Sequence, residues 1–309
     1  MTTTSSPETT VDLDAADPPA STRSTGPVEV ARRPMGFRTR LFSQALFILA
    51  VGILGLVVFL LVVSPIQQNN DQDRLYATFR YQLANSTAPT GGLIDAGAPV
   101  ALLAIPGLNL SQVVVEGTSA GDLESAPGHR RDTALPGQAG VSLIYGRAVT
   151  FGAPFAQLDR LRPGDRISVT TGEGGFTYRV LDVRHPGDPL PPAPGANAGR
   201  LVLETSAGPN ILRHSAVVFV DADLLDRPQP SPGGRATVIP PEEQSMASDA
   251  TATIPLALWL QGIGLLLGIG TWIRWRLGWP ATLLLAAPLL IAVTWNCYET
   301  MGRLLPNLL

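Results

Sequence analysis

Few side chains in this sequence could do covalent chemistry. Its 309 residues include one cysteine, Cys297, and three histidines, His129, His185 and His214. Cys297 falls inside an apolar run, where cysteine packs as a small hydrophobe and burial suppresses the reactive thiolate. A single thiol also excludes an intramolecular disulfide and any multi-cysteine metal site, so no metal or cofactor is expected. His185 sits in a proline-rich loop (His185, Pro186, Gly187, Asp188, Pro189) and is expected in solvent. Every one of the 22 cationic side chains is an arginine, and the net charge is -3. No basic patch marks a nucleic-acid surface, so nucleic acid is not an expected partner.

The elements that must carry these residues begin with apolar segments. Residues 45–63 contain no charge, and at a rise of about 1.5 Å per residue they match a hydrocarbon layer of roughly 30 Å. Residues 254–273 and 279–298 repeat the pattern with interruptions at Pro255, Gln261 and Gly262, and at Pro280, Pro288 and Asn296; such breaks are tolerated in spanning helices. The first run starts too far into the chain, and is too long, for a cleavable signal peptide, and no Ala-x-Ala site follows it. Arg32, Arg33, Arg38 and Arg40 precede it, Asp71 and Asp73 follow it, and Arg274 and Arg276 separate the later spans. This pattern predicts a cytoplasmic N-terminus, three spans and an extracytoplasmic C-terminus in a multi-pass plasma-membrane protein. The expected order is a disordered cytoplasmic tail (1–40), a transmembrane helix (41–64), a connector (65–91) helical around Asp73–Leu83, a folded domain (92–226), a proline-rich tether (227–252) and transmembrane helices at 253–273 and 279–298.

Within 92–226, short runs rich in β-branched and apolar residues lie between turn signals, at 98–105, 112–116, 141–145, 166–171, 176–183, 200–205 and 215–221. Gly172, Glu173, Gly174 and Gly175 join two of them as a hairpin. Seven short strands predict a mainly β fold, a sandwich or a barrel. One helix is expected at 151–161, where Phe151, Phe155, Leu158 and Leu161 share a helical face before Pro163, Gly164 and Asp165.

Particular residues carry a family resemblance. Pro127, Gly128 and His129, then Thr133, Ala134, Leu135, Pro136, Gly137 and Gln138, resemble the "GPGH…GTALPGQ" signature of the sortases, most nearly class E of high-GC Gram-positive bacteria. Ile105 and Pro106, with Val115, Glu116 and Gly117, are similar to the family's opening strands. Phe151, Gly152, Ala153, Pro154, Phe155, Leu158 and Asp159, then Pro163, Gly164 and Asp165, resemble its "YGAPFxxLDxLxPGD". The resemblance implies a sortase-type β-barrel outside the membrane, tethered here by one N-terminal and two C-terminal transmembrane helices.

It also implies where chemistry should sit. Aligned on Gly152–Phe155, the family's catalytic histidine falls on Arg147; its "TLTTC" strand falls on Val202–Ser206, placing Ser206 at the cysteine post. Arg213 is the nearest match to the catalytic arginine. A thiol of pKa near 8.5 needs modest activation, whereas a serine hydroxyl needs a general base within hydrogen-bond reach. Arg147 cannot accept a proton. His129 matches a non-catalytic histidine of the family and is expected as a hydrogen-bonding group. His214 is the one histidine expected near Ser206, but a dyad would lack an orienting carboxylate. Arg147 and Arg213 are either solvated surface cations or, with Ser206 and His214, lining for a groove that grips a carboxylate or phosphate. Tyr145 and Phe151 are expected as packing residues.

Two functions follow. One is a catalytically degenerate pseudoenzyme of the cell envelope, a binding or scaffold protein for a peptide or anionic envelope ligand, with a membrane-protein partner accommodated through the C-terminal helices. The alternative is an active transpeptidase, peptidase or acyl transferase that uses Ser206 as nucleophile.

Overall fold

The computed structural model describes residues 37–208 and 216–309. The chain divides into two units at Leu49/Ala50, and every contact discussed below lies within residues 50–309. The tail expected at 1–40 lies outside the described residues except for 37–40, which belong to the first helix.

Helix α1 (Phe37–Val58) runs through a π-helical turn at Phe59–Val63 into α2 (Ser64–Ala84). The helix expected around Asp73–Leu83 is therefore the last part of a longer one. Two described helices are long and apolar enough to cross a membrane, or three when the bent pair α5 (Trp279–Leu285) and α6 (Ala287–Arg303) counts as one span. Their 43° bend at Ala286 follows from Pro288, which has no N–H to continue the ladder and crowds the preceding turn. Helix α4 (Thr253–Leu277) ends at Gly278, whose φ of 84° suits glycine.

Between α2 and α4, eight strands close into a barrel: β1 (Pro99–Ile105), β2 (Leu110–Glu116), β3 (Gly128–His129), β4 (Gly140–Tyr145), β5 (Arg166–Thr171), β6 (Gly174–Arg184), β7 (Gly199–Ala207) and β8 (Ala216–Leu224). Their order around the barrel is β1-β2-β3-β4-β7-β8-β6-β5. Two neighbours, β2/β3 and β4/β7, are parallel, and the rest are antiparallel. The mainly β expectation holds, with β3 added to the seven predicted strands. The inward positions of alternate strands, among them Leu103, Ile105, Val114, Ile144, Ile167, Val169, Leu201, Leu203 and Val220, fill the interior.

Residues 151–161 do not form the expected helix. Phe151, Gly152 and Ala153 take φ values of 50°, 74° and 46°, a left-handed run incompatible with a right-handed helix. Only Leu158–Arg160 makes a single 3₁₀ turn. The apolar spacing nonetheless marks burial correctly: Phe151, Phe155, Leu158 and Leu161 are all buried.

Neither joint of the barrel is loose. Helix α2 docks on β2: Gln68 Nε2 donates to Gln112 Oε1 at 2.8 Å, and Gln72 accepts from Val113 N at 2.7 Å while its amide donates to Ser125 O at 3.1 Å. The 227–252 stretch, expected as a tether, is a strap instead. Gln229 N donates to Gly137 O, Arg131 pairs with Glu243 at 2.5 Å, and Thr118 Oγ1 donates to Glu243 O at 2.7 Å. Proline density made the segment extended, but its polar groups found partners on the barrel.

The strongest strap contact reaches His129. Arg235 Nη2 donates to Glu116 Oε1 at 2.6 Å, and Glu116 Oε2 faces His129 Nδ1 at 3.0 Å. His129 and Glu116 are buried, and removing one member of a buried charged cluster leaves its partners uncompensated. Arg235→Ala should destabilise the protein by about 3 kcal/mol, read as a lower unfolding midpoint in detergent, whereas Arg227→Ala, outside this cluster, should leave the midpoint in place.

Candidate functional site

The parallel pairing of β4 with β7 sets Tyr145 opposite Glu204. Beyond it, Gly146 N donates to Glu204 O at 3.0 Å and Thr205 Oγ1 donates to Gly146 O at 2.8 Å. Arg147 and Ser206 each lie two residues past that pair, so the two posts implied by the resemblance are side by side, Arg147 just beyond β4 and Ser206 still within β7 opposite Val217 of β8. Gly146 must stay glycine, since a Cβ there would run into the Phe155 ring. Arg213 and His214 lie outside the described residues.

Arg147 is fully buried. Its guanidinium donates to Thr150 Oγ1 at 3.1 Å and to Ala120 O at 3.0 Å, and lies 4.8 Å from the centre of the Phe151 ring. Its Nε has no partner. Desolvation pulls its pKa down to about 10, opposed by the nearby Glu124 carboxylate, so it remains a cation at neutral pH. Both expectations for Arg147 are therefore corrected. It is neither a solvated surface cation nor a free fork in a groove, because its donors are turned inward to neutral acceptors.

Ser206 is also buried. Its Oγ donates to Leu308 O at 2.7 Å, and the same carbonyl accepts from Ala148 N at 3.0 Å. Val149 N and Thr150 N donate to Leu309 O at 3.0 and 2.9 Å. The segment after α6 thus enters the cleft as a tight turn, closed by Leu309 N donating to Pro306 O at 2.9 Å. Leu308 is fully buried, in a small apolar cluster with Leu123 and Tyr145, flanked by Leu143, Val217 and Met246. Asn307 is pinned to the strap: its amide nitrogen donates to Glu242 O at 2.7 Å and Gln244 O at 2.8 Å, and its backbone N donates to Ala247 O at 2.8 Å. Beside Ser206 lies a cavity of about 100 Å³ lined by Ala148, Phe155, Asp159, Thr205, Ser206 and Val218, among others.

No described histidine serves Ser206. His129 is committed to Glu116, Ala134 O and Thr133 Oγ1, the hydrogen-bonding role expected of it. His185 is exposed beside Asp188. Among the described residues no cluster of three or more His, Cys, Asp or Glu side chains could hold a metal. Tyr145 and Phe151 pack in the interior.

Sequence reasoning missed Glu124, the donors at Ala148–Thr150 and the segment Asn307–Leu309. The one available signal for the last was four leucines, Leu304, Leu305, Leu308 and Leu309, continuing past the charged end of α6 at Arg303.

With this geometry, residues 103–205 match the family model of the sortase domain. The barrel is a sortase domain, and through it the chain belongs to the sortase family. The chain is 31% identical over 90 residues to Sortase D of Bacillus subtilis, an alignment covering 29% of this chain and 44% of that protein. It is 29% identical over 154 residues to Sortase SrtE1 of Streptomyces coelicolor, covering 45% of this chain and 44% of the relative. The chain therefore spans less than half the length of either relative. Among solved structures, a sortase E variant of Streptomyces avermitilis is 32% identical with a TM-score of 0.37, covering 44% of this chain and 93% of that one. Clostridium perfringens Sortase D5 is 22% identical with a TM-score of 0.43, covering 51% and 99%.

Glu124 gives the site a pH dependence. Burial pushes its pKa from the ordinary 4.5 to about 7, opposed by Arg147 and Arg303 and reinforced by Glu299 and Asp249. The folded state then holds this proton more tightly than the unfolded state, so stability is lost as pH rises from about 4.5 to about 7 and is level above. The decline on this account is roughly 3 kcal/mol. Unfolding midpoints at pH 5 and pH 8 should show it, and Glu124→Gln should abolish it.

Proposed function

We propose that this protein is a membrane-anchored sortase-family scaffold whose acyl-transfer chemistry is lost and whose cleft binds a peptide. The N-terminus faces the cytoplasm and the barrel stands outside the plasma membrane. One observation carries the proposal. The hydroxyl at the nucleophile post spends its proton on the Leu308 carbonyl, with no histidine or carboxylate hydrogen-bonded to it among the described residues.

A serine nucleophile must lose that proton to a base as it attacks. At the histidine post stands Arg147, cationic and hydrogen-bonded to neutral acceptors, which can neither take the proton nor orient a base that would. The arrangement of Ser206 Oγ and Ala148 N on one carbonyl oxygen resembles what binds a substrate carbonyl, and no group that would activate an attack bonds to Ser206 among the described residues. Binding through main-chain donors needs none of the missing chemistry. Peptide recognition is also the ligand class that family membership favours over a free anion, since the donors that would grip an anion at Arg147 are buried.

Purified full-length protein in detergent, incubated with peptides carrying a sortase-family sorting motif, should give no cleavage or transfer above blank by mass spectrometry. Turnover that disappears in Ser206→Ala would instead establish the serine enzyme.

A further inference from the structure

We infer that the cleft between the β4–β5 loop and β7 is a binding site for a peptide turn ending in adjacent leucines, and that residues 305–309 of this chain, folded as a turn at Pro306–Leu309, are its tethered, exchangeable ligand. The inference rests on the peptide-scaffold reading above and names the occupant.

The first observation is the kind of contact made. Four donors, Ser206 Oγ and the amides of Ala148, Val149 and Thr150, all reach main-chain oxygens of Leu308 and Leu309. Main-chain recognition of this sort transfers to any peptide of the same backbone shape, and side-chain pockets then select among them. Here the pocket belongs to Leu308, which is fully buried.

The second observation is how the donors are held. Three consecutive amides point into one cleft because the chain then reverses through Phe151, Gly152 and Ala153, all at positive φ. For the two non-glycine residues this left-handed backbone is strained. Phe151 N is anchored in turn by Ser64 Oγ at 3.0 Å, and its ring lies under the buried Arg147 guanidinium. The loop thus has anchors on α2 and the barrel besides its bonds to the segment that fills it. A site with anchors of its own can receive another occupant.

The third observation is that the occupant leaves space. The cavity of about 100 Å³ lies beside Ser206 and counts Asp159 among its lining residues. Leu308 and Leu309 do not reach it, since it is lined by neither. The occupant is also imperfectly satisfied, because Asn307 Oδ1 is buried without a partner. An intramolecular ligand gains from high effective concentration and can remain bound with contacts that are less than complete.

The test uses full-length protein in lipid nanodiscs and a dye-labelled peptide of the sequence of residues 304–309. In the wild-type protein the amides of 148–150 should be protected from hydrogen exchange and the labelled peptide should bind weakly. Leu308→Asp puts a charge in the leucine pocket and should expel the segment, exposing those amides while β7 and β8 stay protected. The labelled peptide should then bind at least about tenfold more tightly than to wild type and restore the protection. Should Leu308→Asp lose β7 and β8 protection, Asn307→Ala, which removes two hydrogen bonds and adds no charge, becomes the deciding variant with the same expected direction. Exposed amides that the peptide fails to protect would overturn the inference, as would peptide affinity equal in wild type and variant. The readout is independent of turnover: an acylated Ser206 would sink the scaffold reading and leave the tethered ligand standing.

Discussion

The parallel register of β4 on β7, from Gly140 opposite Gly199 to Tyr145 opposite Glu204, is the constraint on which the rest of the site depends. Parallel strands end on the same edge, so the residues following them arrive together without help from the loops. Arg147 and Ser206 inherit their adjacency from this pairing whatever their chemistry. The scaffold therefore sets the relation between the two positions independently of the side chains that occupy them. The Thr205 hydroxyl, bonded to Gly146 O, ties the two strand ends just before the posts diverge.

Electrostatics explains why Arg147 is more than a vacant substitution. A guanidinium fully withdrawn from water is costly, and its compensation is partial: two neutral acceptors, the face of Phe151 and the field of Glu124. Glu124 is itself desolvated and receives only a 3.7 Å contact from Arg303. The cluster joins α3 (Ala120–Ser125), the loop after β4 and the end of α6 in one buried polar network. Such a network is sensitive to the loss of any member, because the others keep their desolvation cost.

Much of this architecture was legible in the sequence. Short apolar runs between turn signals located seven of the eight strands, and β3 escaped because two residues, Gly128 and His129, make no such run. The resemblance assigned Arg147 and Ser206 to the family's histidine and cysteine posts, and the β4/β7 register places these two residues side by side. Three features were not legible for physical reasons. The apolar spacing of Phe151, Phe155, Leu158 and Leu161 reported burial truthfully but could not report the positive φ values that forbid a helix. The proline-rich 227–252 stretch looked like a tether because composition does not reveal that Arg235 will meet Glu116 across more than a hundred residues. The entry of Leu308 into the cleft is a long-range contact with no local signature.

The unbroken helical path from α1 through the π-helical turn into α2, together with the descent of α6, fixes how the barrel relates to its own supports. Phe59 meets the edge of Trp295 at 5.3 Å between ring centroids, Tyr298 donates to Gly52 O at 3.0 Å, and Gln67 donates to Glu299 at 3.0 Å. α2 then docks on β2, while the segment beyond α6 docks in the cleft. A body gripped at two separate places by helices that also grip each other cannot swivel like a ball on a string. Its reach is set by the length of α2, so anything it holds must be met close to its helical stalk, and a shift of α6 against its neighbours would be felt directly at Ser206.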